Sequence, residues 1–92
     1  MISNQEHAFY YVYVLYSVKD TNLYVGFTRD LKSRFEDHQK GIVPSTRDRA
    51  PLKLIYYEAY VSKSDAVHRE KYLKTYHGRF FLKKRLKSYL TG

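Results

Sequence analysis

Long apolar runs alternate with short polar segments along this chain. Three runs rich in aromatic and β-branched residues predict strands at Phe9–Tyr16, Leu23–Phe27 and Leu52–Tyr60. Only the polar segment Ser17–Asn22 separates the first two runs, so these strands are predicted to pair as antiparallel neighbours. The residues before them, Met1–His7, are polar and are expected to be frayed.

Two helices are predicted from apolar residues at helical spacing. The first spans about Arg29–Lys40, faces inward through Leu31, Phe35 and His38, and ends at Gly41. The second begins at Ser62 or Ser64. Its inward stripe is predicted to contain Ala66, Val67, Leu73 and Tyr76.

A third amphipathic helix is predicted over Phe80–Leu90, after Gly78 breaks the preceding pattern. The element order β-β-α-β-α-α predicts an α+β fold with a small three-stranded sheet, antiparallel or mixed, flanked by helices. A chain of 92 residues makes one domain, with a core at about 9–77 and a basic C-terminal helix at about 79–90.

The composition limits the cellular compartments and the binding partners that are expected for the protein. The chain contains no cysteine, which excludes disulfides and thiolate metal sites and fits the reducing cytoplasm. Its start does not read as a signal peptide, and no apolar run approaches the roughly 20 residues that cross a bilayer. The net charge of +8 favours a nucleic-acid partner, with an anionic membrane surface or a ribosomal location left open.

Basic residues concentrate in the C-terminal third of the chain. Between Arg69 and Lys87 eight lysines and arginines face a single acid, Glu70. Such a run is usually a solvated face, but here it also fits a surface that follows a phosphate backbone without reading sequence. The predicted nucleic-acid contacts are Arg47, Arg49, Lys74, Arg79, Lys83, Lys84, Arg85 and Lys87.

Five residues together are sufficient for metal-assisted phosphodiester hydrolysis: Tyr13, Tyr24, Arg34, His38 and Glu70. An acid can hold a divalent cation, a tyrosine or histidine can accept a proton, and an arginine can stabilise charge on a phosphate. Structural roles compete with this interpretation. The tyrosines suit a strand core, His38 suits a helix end, and Arg34 and Glu70 suit surface ion pairs.

The order of these residues resembles the GIY-YIG nuclease superfamily. Tyr11-Val12-Tyr13 stands in place of Gly-Ile-Tyr, and Tyr24-Val25-Gly26 in place of Tyr-Ile-Gly. The resemblance covers roughly Tyr10 to Tyr76 and is greatest to small stand-alone bacterial members, often described as resembling the incision subunit of nucleotide excision repair. Further matching positions are Thr28, Leu31, Arg34, His38 to Gly41, Ser45-Thr46, Leu54 to Glu58, Arg69-Glu70 and Leu73-Lys74.

The resemblance implies a role for each of the five residues. Tyr13 and Tyr24 would flank the attacking water, one of them as general base, and Arg34 would contact the scissile phosphate. His38 would assist proton transfer or substrate contact. Glu70 would be the single protein ligand of a Mg²⁺ or Mn²⁺ ion. Tyr11 departs from the family pattern, because a glycine usually stands there.

These observations predict a divalent-metal-dependent DNA endonuclease domain that acts in repair or recombination on branched or damaged DNA. A second hypothesis is a basic nucleic-acid-binding module that keeps the nuclease fold without catalysis. A third is a basic interaction protein that works beside a larger nuclease. The sequence leaves the oligomeric state, RNA binding and the identity of the proton-accepting tyrosine open. Glu58, a strand carboxylate, is expected to need a partner such as an arginine rather than to be catalytic.

Overall fold

The computed structural model of the protein describes residues 8–92, so the expectation for Met1–His7 lies outside the described residues. The strands are β1 (Tyr10–Ser17), β2 (Leu23–Thr28) and β3 (Leu52–Tyr60). The helices are α1 (Leu31–Gln39), α2 (Lys63–Leu73), α3 (Tyr76–Arg85) and α4 (Lys87–Thr91), with a 3₁₀ turn at Arg47–Arg49. The predicted α+β class and element order are confirmed. None of the helices in this range is long and apolar enough to cross a membrane.

The three strands form one antiparallel sheet in the order β2-β1-β3. The β1 strand is therefore central, as expected for its nearly continuous apolar sequence. The register places Tyr13 of β1 opposite Gly26 of β2 and Tyr57 of β3. Directly opposed residues point to the same face, so this pairing fixes what surrounds the Tyr13 ring.

Each face of the sheet is covered by different helices. On one face, the buried residues Val12 and Val14 pack with Leu73 of α2 and Leu82 of α3. On the other face, Tyr13 and Leu15 pack with Leu31 and Phe35 of α1. Alternate residues of β1 thus point into two separate cores, and this arrangement places Tyr13 beneath α1.

The ends of the first two helices follow the residue types that the sequence offers. The Asp30 side chain accepts a hydrogen bond from the backbone N–H of Ser33 and caps α1. The chain leaves α1 through Gly41, which has a φ of +76° that a residue with a side chain adopts at a cost. Of the two candidate serines before α2, Ser62 is the cap, since it accepts from the N–H of Asp65.

The prediction for the last helix is wrong in two respects. The segment Phe80–Leu90 is two helices, α3 and α4, separated at Leu86, whose φ of −106° and ψ of 20° are not helical. Gly78 does not interrupt helical structure but lies inside α3, where its N–H is accepted by the Thr75 side chain. A Cβ at Gly78 would come within 2.5 Å of Leu73 Cα, so glycine allows α2 and α3 to approach closely.

The inward stripe predicted for α2 is also corrected at one position. Ala66 and Leu73 are fully buried as expected, whereas Tyr76 is 80% exposed. The reason is that α2 ends at Leu73 and α3 starts anew at Tyr76, so the helical phase does not carry across the junction.

Candidate active site

The paired strands β1 and β2 hold two tyrosines side by side. The ring centroids of Tyr13 and Tyr24 are 6.4 Å apart. The Tyr13 ring lies across the backbone of Gly26, where a Cβ would approach Tyr13 Cε1 to 2.7 Å. Real Cβ atoms do not come this close to a ring carbon, so the third residue of Tyr24-Val25-Gly26 makes room for Tyr13.

Helix α1 brings His38 to the same place. Its Nε2 is 2.8 Å from the hydroxyl oxygen of Tyr13, and its ring makes edge contacts with both Tyr13 and Tyr24. Both His38 and Tyr13 are almost completely buried, at 0% and 1% exposure. The prediction of an inward-facing His38 is therefore confirmed, and its partner is a tyrosine.

Tyr13, Tyr24 and His38 form a cluster of contacting side chains. The loop between α1 and β3 adds two adjacent hydroxyl side chains to this cluster. Thr46 Oγ1 lies 2.6 Å from His38 Nδ1 and is buried. Ser45 Oγ donates to the hydroxyl of Tyr24 at 3.2 Å. Neither residue was among the predicted site residues. The signal for them was the Ser45-Thr46 pair, which matches the family pattern but was given no predicted role.

Arg34 projects from the face of α1 that carries His38, one turn earlier. Its ion pair with Asp37 is long, at 4.0 Å, and its side chain is 40% exposed, so that pair contributes little to stability. The guanidinium instead acts on the cluster. Burial raises the pKa of Tyr13 to about 12, although the neighbouring Arg34 acts to lower it. Burial lowers the pKa of His38, and the positive charge of Arg34 lowers it further.

Glu70 of α2 supplies a carboxylate within electrostatic reach of Tyr13. Its negative charge raises the pKa of Tyr13, and among the causes of that pKa shift it is the smallest, whereas burial is the largest. One carboxylate oxygen accepts a hydrogen bond from Lys74 at 2.8 Å, and the side chain is 19% exposed. The surface ion pair that competes with a catalytic role for Glu70 therefore exists, and Lys74 is its partner.

The described residues contain no group of three or more histidine, aspartate or glutamate side chains that could hold a metal ion. A single carboxylate still fits Mg²⁺, because this ion keeps several waters and often takes one or two protein carboxylates together with substrate phosphate oxygens. Glu70 could therefore contribute one carboxylate to a hard divalent cation whose other ligands are waters and substrate oxygens.

The predicted nucleic-acid contacts divide into two groups. The exposed ones on α3 and α4 lie on helices that contain no acidic residue, because none occurs between Tyr76 and Gly92. These residues are Arg79, Lys83, Lys84, Arg85 and Lys87. Two aromatic residues of α3, Tyr76 and Phe80, are also exposed.

The other predicted contacts are placed differently. Arg47 is exposed, but Arg49 is half-buried and makes a two-pronged ion pair with Asp20, with its shorter distance 2.6 Å. This pair ties the 3₁₀ turn to the β1–β2 hairpin, so the role that the structure gives Arg49 is a structural one. Lys74 is exposed and bound to Glu70.

Glu58 takes the role expected for it. Its carboxylate accepts two hydrogen bonds from Arg69, at 2.9 and 3.0 Å, and one from each of the hydroxyls of Tyr56 and Tyr60. The Arg69 guanidinium also lies over the Phe81 ring, 4.7 Å from its centroid. This network joins β3, α2 and α3, and it fixes α2, the helix that carries Glu70, against the sheet.

A small antiparallel sheet with two tyrosines on paired strands, followed by a helix with an arginine and a histidine, defines a class of nuclease domain. The family model described as the GIY-YIG catalytic domain matches residues 9–85. The chain belongs to the GIY-YIG catalytic domain family, which confirms the resemblance and supports a nuclease-type function.

Three individual proteins that the chain resembles are all described as UPF0213 proteins. The chain is 43% identical over 65 residues to a UPF0213 protein of Clostridium perfringens, with 70% of this chain and 69% of that protein covered. It is 46% identical over 68 residues to a UPF0213 protein of Limosilactobacillus reuteri, with 71% and 70% covered. The solution NMR structure of a UPF0213 protein from Bacillus halodurans matches with a TM-score of 0.51 and 32% identity, covering 80% of this chain and 81% of that one.

Proposed function

We propose that this protein is a divalent-metal-dependent endonuclease that hydrolyses phosphodiester bonds in DNA. The observation that carries the proposal is the buried hydrogen bond between Tyr13 and His38, with Arg34 and Glu70 within electrostatic reach of Tyr13, on a fold of the GIY-YIG family. Each residue type has a separate use in phosphoryl chemistry.

Arg34 is the group proposed to bind the scissile phosphate. Its guanidinium is half-exposed and held only loosely by Asp37, so it is free to form two hydrogen bonds to a phosphate. Because Arg34 is close enough to Tyr13 to lower the pKa of that tyrosine, a phosphate bound by Arg34 would lie near the two tyrosines. The positive charge would stabilise the negative charge that develops on the phosphate oxygens.

The tyrosines are proposed to orient the attacking water, and one of them to accept its proton. Tyr13 is rigid, since Gly26 packs beneath its ring and His38 holds its hydroxyl. Tyr24 is less buried and is held by Ser45. A divalent ion bound by Glu70 would supply Lewis-acid stabilisation of the phosphate and a more acidic water.

The exposed basic residues of α3 and α4 are proposed to follow the DNA backbone. Contacts of this kind fix position and carry no sequence information, which suits branched or damaged DNA as substrate. We assign the activity to repair or recombination in the cytoplasm, with a larger repair protein as a candidate partner.

The test is conversion of supercoiled DNA to the nicked form with Mg²⁺ or Mn²⁺, and with a chelator. We expect nicking that requires metal, loss of it in Glu70→Ala, and retention in Asp65→Ala, which removes an exposed acid from the same helix. Nicking by Glu70→Ala at the wild-type rate would contradict the metal assignment.

The second candidate function is a nucleic-acid-binding module without catalysis. The surface of α3 and α4, with five exposed basic residues and no acid, favours it independently of the tyrosine cluster. It predicts binding that needs no metal and weakens steeply with salt, without nicking by the wild type on any DNA form.

A further inference from the structure

Three buried polar groups form a continuous chain behind the candidate site. Thr46 Oγ1 is 2.6 Å from His38 Nδ1, and His38 Nε2 is 2.8 Å from the Tyr13 hydroxyl oxygen. A neutral imidazole carries one N–H, so this chain has a direction. Either Tyr13 donates to His38 and His38 to Thr46, or Thr46 donates to His38 and His38 to Tyr13.

The two ends of the chain differ in what can accept the remaining proton. Thr46 is 1% exposed, its backbone N–H bonds to Val43 in a tight turn, and its hydroxyl has His38 as its one partner among residues 8–92. If His38 donated to Thr46, the Thr46 hydroxyl proton would be buried without an acceptor. A buried donor left without a partner costs about 1–3 kcal/mol.

At the other end, the Tyr13 hydroxyl lies within electrostatic reach of Arg34, Glu70 and Tyr24. Tyr13 itself is 1% exposed, but Arg34 and Tyr24 are partly exposed, so a phosphate oxygen bound by Arg34 is the acceptor that we assign to a Tyr13 proton directed away from His38. The Tyr13 oxygen then accepts a hydrogen bond from His38 Nε2–H.

We infer that Thr46 is a positioning residue: it donates to His38 Nδ1, fixes the imidazole proton on Nε2, and so turns the Tyr13 hydroxyl proton toward the substrate. His38 in this arrangement is a neutral donor. Burial lowers its pKa, which agrees with a neutral ring at neutral pH. Tyr13 acts on a bound phosphate as a hydrogen-bond donor. The orientation of the Tyr13 proton toward a phosphate rests on the proposed function, whereas the hydrogen bond from Thr46 to His38 does not.

The matched variants are Thr46→Val, which keeps the shape of the side chain and removes the hydroxyl, and Thr46→Ser, which keeps the hydroxyl. Long-range ¹H–¹⁵N NMR spectra distinguish the protonated from the unprotonated ring nitrogen of His38 without any need for catalysis. We expect the Nε2–H form in the wild type and in Thr46→Ser, and a fall in its population in Thr46→Val.

Nicking assays add the catalytic readout. Substitutions of groups that orient metal ligands typically cost 10–100-fold, and by analogy we expect Thr46→Val to nick about tenfold more slowly and Thr46→Ser to stay near the wild-type rate. A wild-type ring protonated on Nδ1, or a folded Thr46→Val with an unchanged ring spectrum, would overturn the inference. The expected spectra without nicking by any variant would uphold the positioning role of Thr46 and refute the proposed function.

Should Thr46→Val fail to fold, the wild-type and Thr46→Ser spectra still decide between the two directions. An Nε2–H ring in both supports the inference, and an Nδ1–H ring in either one contradicts it.

Discussion

Tyr13 and Gly26 are directly opposed across β1 and β2, and the Tyr13 ring occupies the space that a side chain at Gly26 would need. This relationship explains why a glycine belongs in the middle of a strand, where it otherwise weakens the pairing. It also links the two sequence motifs physically, because the glycine of the second sets the position of the tyrosine of the first.

Replacing Gly26 with alanine is expected to destabilise the protein by about 3 kcal/mol, because overpacking forces ring or strand to move. Urea unfolding of Gly26→Ala measures this change in the free energy of unfolding. In a Tyr13→Leu background the same substitution should cost much less, since the ring is gone. Gly41→Ala is the control. It meets no atom within 4 Å, and its φ of +76° predicts a penalty of only about 1 kcal/mol.

The stability of the protein should fall as the pH drops from 7.5 to 5.5. The pKa of His38 in the folded state is lowered by burial, so the unfolded chain takes up a proton at a pH where the folded one does not. That uptake favours unfolding below the ordinary histidine pKa of about 6.5. Urea titrations at several pH values provide the measurement.

The variant His38→Gln separates this effect from other titrations. It should flatten the decrease in unfolding free energy between pH 7.5 and 5.5. The lowered pKa values of Glu58 and Asp20 act only at more acidic pH, below the ordinary carboxyl values of 4.5 and 3.8 from which they are lowered. An unchanged slope in His38→Gln would show that His38 titrates alike in both states.

Glu58→Ala should destabilise the protein by about 3 kcal/mol, because it leaves Arg69 and two tyrosine hydroxyls without their shared acceptor. Thermal or urea unfolding measures the change. Asp37→Ala removes the acid of the long 4.0 Å pair with Arg34 and should cost under about 0.5 kcal/mol. Similar destabilisation in the two variants would contradict the importance assigned to the network.

DNA binding should weaken when the basic surface of α3 and α4 is neutralised. For Lys83→Ala/Lys84→Ala/Lys87→Ala the slope of log affinity against log salt should become shallower by about 0.9 for each phosphate that the variant no longer neutralises. Fluorescence anisotropy over a salt series gives this slope. The control is Lys53→Ala/Lys63→Ala, which removes exposed lysines from β3 and the start of α2. Equal slopes in both variants would exclude the α3–α4 surface as the DNA-binding surface.

The sequence predicted the strands well because their apolar runs are long and bounded by polar turns. It also predicted the pairing of the strands that carry Tyr13 and Tyr24 and the inward orientation of His38, since hairpin pairing and helical spacing are local. The split of the last helix at Leu86 depends on packing and has no local signal. Gly78 was misinterpreted because its role is a close approach between α2 and α3, which only the tertiary structure reveals.

Site residues in the loop were harder to predict. Ser45 and Thr46 contact Tyr24 and His38 only because the loop folds back over α1, and no periodicity applies to such a segment. Arg49 was assigned to DNA from its charge alone. Its partner Asp20 is 29 residues away in sequence, so neighbouring residues gave no sign of the ion pair that occupies it.

The most direct test of the proposed activity is the nicking rate of Arg34→Ala beside that of Lys32→Ala, an exposed basic residue of the same helix. We expect Arg34→Ala to nick supercoiled DNA at least about 100-fold more slowly than the wild type, as for loss of a group that stabilises transition-state charge, while Lys32→Ala nicks normally. Equal nicking by Arg34→Ala and the wild type, with both folded, would contradict the proposed site.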